Sequence, residues 1–137
     1  MGKAVLVAGK KKRVLVVDDD PELLQLVRVL LSRINADAIT TDNAKTAEAL
    51  LRGGTQPDLI ILDLMLPEVS GIEFLRQLRA DPQYDQLPVV VLSALIDPDR
   101  IRVALDAGAD RYLTKPYIAN NLLTVVTEIL RAGRRRE

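Results

Sequence analysis

The chain has 137 residues with 19 basic and 19 acidic side chains, so its formal net charge is zero. Hydrophobic residues make up 48% and aromatic residues only 3%, which indicates one globular domain with an aliphatic core and argues against base-stacking surfaces for single-stranded nucleic acid. The sequence contains no Cys and no His, which excludes thiol nucleophiles, disulfides, imidazole bases and metal sites built from those ligands. Any metal should therefore be a hard, oxygen-binding cation.

The charges are distributed unevenly along the chain. Residues 14–130 hold 10 basic and 18 acidic residues, a net charge of −8, and the other basic residues are concentrated at the two ends. An acidic body favours cations or basic partners over the phosphate backbone of nucleic acids, so we expect no direct nucleic-acid binding. No apolar run approaches the roughly 20 residues that span a bilayer. We therefore expect a cytoplasmic protein without a membrane contact.

Short apolar runs alternate with longer amphipathic patterns along the sequence. In chain order they predict strand 13–17, helix 21–34, strand 38–41, helix 44–52, strand 58–62, helix 72–80, strand 89–92, helix 99–107, strand 111–113 and helix 118–131. Strict alternation of buried strands and helices is typical of a doubly wound α/β fold with a five-stranded parallel sheet and five helices.

Several residues predict where the helices begin and end. Asp20 before Pro21 is a natural N-cap with proline at the first helical position. Gly53-Gly54 should end the second helix, and Gly108 should cap the fourth. These assignments need no functional explanation.

Polar residues follow all five predicted strands; Asp42 follows the second, and the other four strands supply the candidate site residues. Asp18 and Asp19 follow the first strand, Asp63 the third, Ser93 the fourth and Lys115 the fifth. Taken singly, Ser93 and Lys115 are ordinary surface or strand-end residues, and the two acids could complement a helix dipole. However, ligands of open parallel sheets bind at the carboxyl ends of the strands, where all five residues should converge.

This residue set suits one kind of chemistry. Two or three carboxylates form a site for Mg²⁺ or Mn²⁺, cations that prefer oxygen ligands and leave coordination positions for phosphate oxygens. A lysine beside them can pair with a carboxylate or a phosphoryl oxygen. A carboxylate in that setting can attack phosphorus and form an aspartyl phosphate.

Four segments of the sequence resemble the receiver domain of two-component response regulators. They are VLVVDDDPE (Val14–Glu22), LIILDLMLPEVSG (Leu59–Gly71), VVVLSA (Val89–Ala94) and ALDAGADRYLTKP (Ala104–Pro116). The resemblance covers residues 13–131. It implies a flavodoxin-like sheet with strand order 2-1-3-4-5.

The resemblance also implies a role for each matching position. Asp63 would be the phosphoacceptor, and Lys115 would contact the phosphoryl group. The metal would be held by Asp18, Asp19, Asp63 and the backbone carbonyl of Met65. The switch would use the hydroxyl of Ser93, the N–H of Ala94 and the ring of Tyr112.

Partners are implied in the same way. The phosphoryl donor would be a histidine kinase or a phosphotransfer protein. Phosphorylation would change the surface formed by the fourth helix, fifth strand and fifth helix, roughly residues 99–131, for a downstream effector or an output domain. The protein would be a monomer or a weak, phosphorylation-dependent dimer, and a switch that phosphorylates and dephosphorylates itself rather than a turnover enzyme.

The expected organisation is an N-terminal extension (1–12), a receiver domain (13–131) and a basic tail or linker stub (132–137) whose arginines are solvated. Two alternatives stay open. One is a magnesium-dependent phosphohydrolase of the haloacid-dehalogenase type, since Asp18–Asp20 contains an Asp-x-Asp. The other is a degenerate receiver that only binds proteins.

Overall fold

The computed structural model describes residues 11–94, 97–115 and 118–134. The elements in chain order are β1 (Lys12–Val17), α1 (Pro21–Ser32), β2 (Ala36–Thr41), α2 (Ala44–Arg52), β3 (Leu59–Asp63), α3 (Gly71–Ala80), β4 (Val89–Ser93), α4 (Pro98–Asp106), β5 (Arg111–Thr114) and α5 (Ile118–Ala132). Every predicted element is present, and no boundary differs from the predicted one by more than two residues. A 3-10 turn at Pro82–Tyr84 was not predicted.

The five strands form one parallel sheet in the order β2-β1-β3-β4-β5. This confirms the predicted doubly wound, flavodoxin-like α/β fold. Because all neighbouring strands of the sheet run parallel, their carboxyl ends lie at one edge. There Asp63 is in register with Leu92, and Ser93 with Thr114. The strand ends that carry the candidate residues are therefore neighbours.

Two apolar layers cover the sheet. On one face α1 and α5 pack against alternate strand residues such as Val16 and Ile61. On the other face α2, α3 and α4 pack against the residues between them, such as Leu15 and Ile60. The central strands β1, β3 and β4 are buried on both faces, which explains their uninterrupted apolar sequence.

Side-chain caps position the helices as the sequence predicted, with one exception. Asp20 accepts a hydrogen bond from the Glu22 N–H at 3.0 Å, and Gly108 follows α4 at φ 117°, a left-handed conformation that favours glycine. The third helix begins at Gly71 rather than Ile72, because Ser70 caps it by accepting from the Glu73 N–H. A capped start at Ser70 keeps the loop after β3 short.

The expectation of a solvated basic tail is wrong for Arg134. Its guanidinium lies 2.8 Å from Asp110 Oδ1 and also donates to the carbonyls of Asp85 and Gly108. The Arg79 guanidinium lies 3.2 Å from the other oxygen of the same carboxylate. Asp110 is only 4% exposed, so two guanidiniums compensate one buried charge. Residues 1–10 of the expected extension and 135–137 of the tail lie outside the described residues.

None of the described helices combines sufficient length with sufficient apolar character to cross a bilayer.

Candidate functional site

Asp18 and Asp19 lie directly after β1, but their environments differ. Asp18 is 1% exposed, and its Oδ1 accepts a hydrogen bond from the Asp20 N–H at 2.9 Å. Asp19 is exposed to solvent. The third acid, Asp20, faces the helix that it caps. One acid of the triplet is thus structural, as predicted, and the other two are available to the site.

Asp63 is the last residue of β3 and is 3% exposed. Its Oδ1 accepts a hydrogen bond from the Met65 N–H at 3.2 Å. The chain then returns over Asp63, because the Gly71 N–H binds the Leu64 carbonyl at 3.0 Å. A Cβ on Gly71 would lie 2.7 Å from the Leu64 Cα, so only glycine allows this approach.

Lys115 connects the strand ends. Its Nζ lies 3.2 Å from Asp18 Oδ2 and 3.3 Å from Asp63 Oδ2, and the side chain is 26% exposed. One ammonium therefore lies between two buried carboxylates that are 45 positions apart in the sequence. This is the convergence that the strand-end pattern predicted.

The acidic residues also meet the requirements of a cation site. Asp18, Asp19 and Asp63 each offer a carboxylate oxygen within 4.8 Å of the others. Asp18 Oδ2 is buried and accepts no hydrogen bond from the described residues, although Lys115 lies nearby. Three carboxylates against one ammonium leave negative charge uncompensated. This oxygen-only donor set fits a hard divalent cation.

Burial, together with the neighbouring charges, shifts the pKa of all three central groups. Burial raises the pKa of the Asp18 carboxyl, and the Asp63 carboxylate adds to the rise, against a backbone hydrogen bond and Lys115. Burial likewise raises the pKa of Asp63, against the Met65 N–H and Lys115. Burial disfavours the charge on Lys115, but the two carboxylates outweigh it and raise its pKa as well.

The remaining predicted residues surround this centre. Ser93 ends β4 and is completely buried, and Ala94 follows it on the exposed side of the strand end. Tyr112 is in β5 beside Val91, and its half-buried ring packs against the core below the site. The Met65 side chain is 62% exposed, while its backbone contacts Asp63.

Two residues that shape the site, Gly71 and Asp110, were not among the predicted site residues. Gly71 permits the tight return over Asp63, and its signal was available as the glycine that ends the polar stretch PEVSG. Asp110 anchors the beginning of β5, the strand that ends at Thr114, directly before Lys115. No local pattern distinguishes Asp110 from a surface acid, so tertiary contacts were needed to find it.

The raised carboxyl pKa values predict a pH-dependent effect of Asp63→Asn. Since the folded-state pKa values of Asp18 and Asp63 lie above 3.8, their contribution to stability is greatest below that pH and falls as the pH rises through the folded values. At neutral pH without metal, the substitution should therefore raise the melting temperature by a few degrees. The gain should shrink as the pH is lowered toward 3.8.

Melting curves in chelator at several pH values, followed by Mg²⁺ addition, measure this effect. The contribution of Lys115 to stability does not change with pH in this range. Because its pKa is raised in the folded state, that contribution is fully present below pH 10.5 and is lost only above it. Mg²⁺ should stabilise the wild type more than the variant, since ligand binding to the folded state raises stability. Exposed Asp37→Asn is the control. An equal, pH-independent change in both variants would contradict the prediction.

The sequence is similar to a known protein family and to several of its curated members. The sequence model of the response regulator receiver domain matches residues 14–127. The chain is 34% identical over 120 residues to the phosphate regulon transcriptional regulatory protein PhoB of Pseudomonas aeruginosa, covering 88% of this chain and 52% of PhoB. It is 40% identical over 120 residues to the DNA-binding dual master transcriptional regulator RpaA of Synechocystis, covering 87% and 49%. The chain thus spans about half the length of these curated relatives.

A solved structure gives the same result. The chemotaxis response regulator CheY4 of Vibrio cholerae superposes with a TM-score of 0.80 at 27% identity, covering 88% of this chain and 99% of CheY4. The family match excludes the haloacid-dehalogenase alternative, because receiver domains are signalling switches and not turnover enzymes. The chain belongs to the response regulator receiver domains of two-component signal transduction.

Proposed function

We propose that this receiver domain takes a phosphoryl group onto Asp63 in a magnesium-dependent reaction, from a histidine kinase or a phosphotransfer protein. The single observation that carries the proposal is the contact of Lys115 Nζ with both Asp18 and Asp63, at 3.2 and 3.3 Å. A degenerate receiver would lack one of these groups. Here the acceptor, the acids and the ammonium occur together.

The reaction would be a displacement at phosphorus. A carboxylate oxygen of Asp63 forms a bond to phosphorus as the bond to the donor breaks, and the donor leaves with the electron pair. With phosphohistidine as donor, the departing imidazole takes a proton from solvent. Hydrolysis by water would later release inorganic phosphate and restore the carboxylate.

This chain's residues would mainly position the reactants and neutralise charge. Asp18, Asp19, Asp63 and the Met65 carbonyl would hold Mg²⁺, which when bound neutralises negative charge on the phosphoryl oxygens. The ammonium of Lys115 would move from the carboxylates to the phosphoryl group. The Met65 N–H keeps the Asp63 carboxylate oriented through its 3.2 Å hydrogen bond.

The response would reach the surface made by α4, β5 and α5. Phosphorylation adds about −1.5 to −2 charges, which would attract the Ser93 hydroxyl and the Ala94 N–H, while the Tyr112 ring turns inward. Two features support a movable surface. Helix α4 buries only Ala104, and β5 is an edge strand whose residues are all partly exposed.

Partners and organisation follow from the same proposal. The curated relatives are named as transcriptional regulators and are about twice as long as the matched segment. A receiver domain at 13–131 would therefore signal to an output domain or a separate effector, as a monomer or a weak phosphorylation-dependent dimer in the cytoplasm.

Labelling with a small phosphodonor tests the acceptor assignment. Incubation with acetyl phosphate and Mg²⁺ should add one phosphoryl group per chain, measured by intact mass spectrometry. Asp63→Asn should abolish the label, because an amide oxygen is a poor nucleophile. Chelation of the metal should abolish it too.

Asp42→Asn is the matched control, since Asp42 is an exposed carboxylate that follows the neighbouring strand β2. This variant should be labelled like the wild type. Full labelling of Asp63→Asn would contradict the acceptor assignment. A wild type that folds, binds Mg²⁺ and is never labelled would favour the protein-binding alternative.

A further inference from the structure

A groove lies between the loop after β3, the beginning of α3 and the exposed side of α4. Its volume is about 480 Å³, within the range of ligand and peptide sites. Five apolar side chains line it: Leu64, Met65, Leu66, Ile72 and Val103. The groove is therefore mainly apolar in an otherwise highly charged protein.

Two of these apolar side chains are unusually exposed. Met65 is 62% exposed and Val103 is 40% exposed, and they come from opposite walls of the groove. Single exposed apolar residues are common on soluble proteins, but a contiguous set lining a concave surface is typical of a binding site. Methionine adapts its shape to different partners.

The charge of the groove is opposite to that of the surrounding domain. Arg76 and Arg100 line it, both are exposed, and neither makes an ion pair with any residue in the described part of the chain. None of its lining residues is acidic, although residues 14–130 carry a net charge of −8. By contrast, Arg102 on the same helix is paired with Asp99 at 3.0 Å. The groove is a positive site without a counter-charge.

One wall of the groove is held in place by backbone contacts. The Gly71 N–H binds the Leu64 carbonyl at 3.0 Å, and Ser70 caps α3 through the Glu73 N–H at 3.2 Å. Residues 64–71 therefore form a short, closed loop. A preformed groove costs little ordering entropy when a partner binds.

We propose that this groove binds a segment of a partner protein in which aliphatic side chains are flanked by carboxylates. The aliphatic side chains would cover Met65 and Val103, and the carboxylates would pair with Arg76 and Arg100. A nucleic acid fits less well, because none of the described residues that line the groove is aromatic and could stack on a base. The groove shares α4 with the surface made by α4, β5 and α5, but its other wall is the loop after β3 and the beginning of α3. Binding to the unmodified chain does not depend on phosphorylation of Asp63.

A titration with a synthetic peptide of alternating leucine and glutamate tests the proposal. Amide NMR signals of the unphosphorylated protein should shift at residues 64–72 and 100–103, and not on α1. A peptide with lysine in place of glutamate should not bind. The proposal would be overturned if the lysine peptide or a single-stranded oligonucleotide bound as well as the glutamate peptide. It would also be overturned if the shifts were confined to other surfaces.

Matched variants separate the groove from general charge and hydrophobicity. Arg76→Glu and Arg100→Glu should each weaken peptide binding about 3- to 10-fold, the effect expected of an exposed pair with charge reversal. Arg33→Glu changes the net charge equally at the exposed residue that follows α1, and it should have less than about a 2-fold effect.

A second pair of variants uses one helix. Val103→Ser should weaken binding about 5-fold, since it removes apolar surface from the groove. Leu105→Ser is the control, because Leu105 is 43% exposed on the same helix but does not line the groove. Equal effects within either pair would overturn the proposal. So would concentration-dependent self-association that Val103→Ser abolishes, because the occupant would then be a second copy of the chain.

Discussion

Replacing Asp110 by alanine should lower the free energy of unfolding by about 3–4 kcal/mol, the lower part of the range for breaking a buried ion pair. The carboxylate is 4% exposed and pairs with Arg79 and Arg134, whose side chains are 12% and 15% exposed. It also accepts from the Val89 N–H at 2.9 Å. Removal would leave two poorly solvated guanidiniums and an unpaired backbone N–H.

Urea unfolding at neutral pH measures this cost. Asp110→Asn keeps an acceptor for the Val89 N–H but removes the charge. Its free energy of unfolding should therefore lie between that of the wild type and that of Asp110→Ala. Asp37→Ala is the control. Asp37 makes an ion pair with Lys11 on the surface at 57% exposure, which should contribute less than about 1 kcal/mol. Equal losses in Asp110→Ala and Asp37→Ala would show that the Asp110 network contributes nothing special.

Replacing Lys115 by alanine should separate metal binding from the response to phosphorylation. The three carboxylates remain, so Mg²⁺ should still bind. Its affinity should not fall, because the ammonium no longer competes for the same carboxylates. Beryllofluoride, a phosphoryl mimic, would lose its cationic partner. Spectral changes on α4, β5 and α5 should then fall at least about 10-fold in amplitude, the loss expected for a charge-assisted contact.

The same variant should also be less stable without metal at neutral pH, because two buried carboxylates lose their counter-charge, and Mg²⁺ should restore part of the stability. Lys45→Ala, an exposed lysine on α2, is the control and should behave like the wild type. Spectra that beryllofluoride leaves unchanged in the wild type and in Lys115→Ala would contradict the switching role. A wild-type response that persists in full in Lys115→Ala would contradict the role of the lysine.

The sequence was sufficient to predict the sheet and the residues at its edge. An apolar run such as Leu59–Leu62 predicts a buried parallel strand. The carboxylate that follows it directly predicts a binding site at the carboxyl end of that strand. Parallel strands bring their carboxyl ends together whatever the detailed packing. For this reason Asp18, Asp63 and Lys115 could be placed at one edge without coordinates. Helix caps such as Asp20 were predictable because they depend on local backbone geometry.

Other features depended on contacts between distant parts of the chain. Arg134 looks like part of a solvated basic tail, and Asp110 like a loop acid, until the end of α5 is placed beside the beginning of β5. The distances from Lys115 to its two carboxylates, and the burial of Asp18 Oδ2 without a hydrogen-bond donor in the described part of the chain, also follow only from the packed site. The groove beside Met65 exists only because α4 packs across from the loop after β3.

The sequence by itself determined the α/β architecture, the strand ends that carry acidic and basic groups, and the family of the chain, because these depend on local periodicity and on motifs of neighbouring residues. Only the tertiary structure decided which charges are buried, which are paired and which remain without a counter-charge. The physical reason is that burial and Coulombic pairing depend on distances between residues far apart in the chain, and these distances are set by how the helices pack on the sheet.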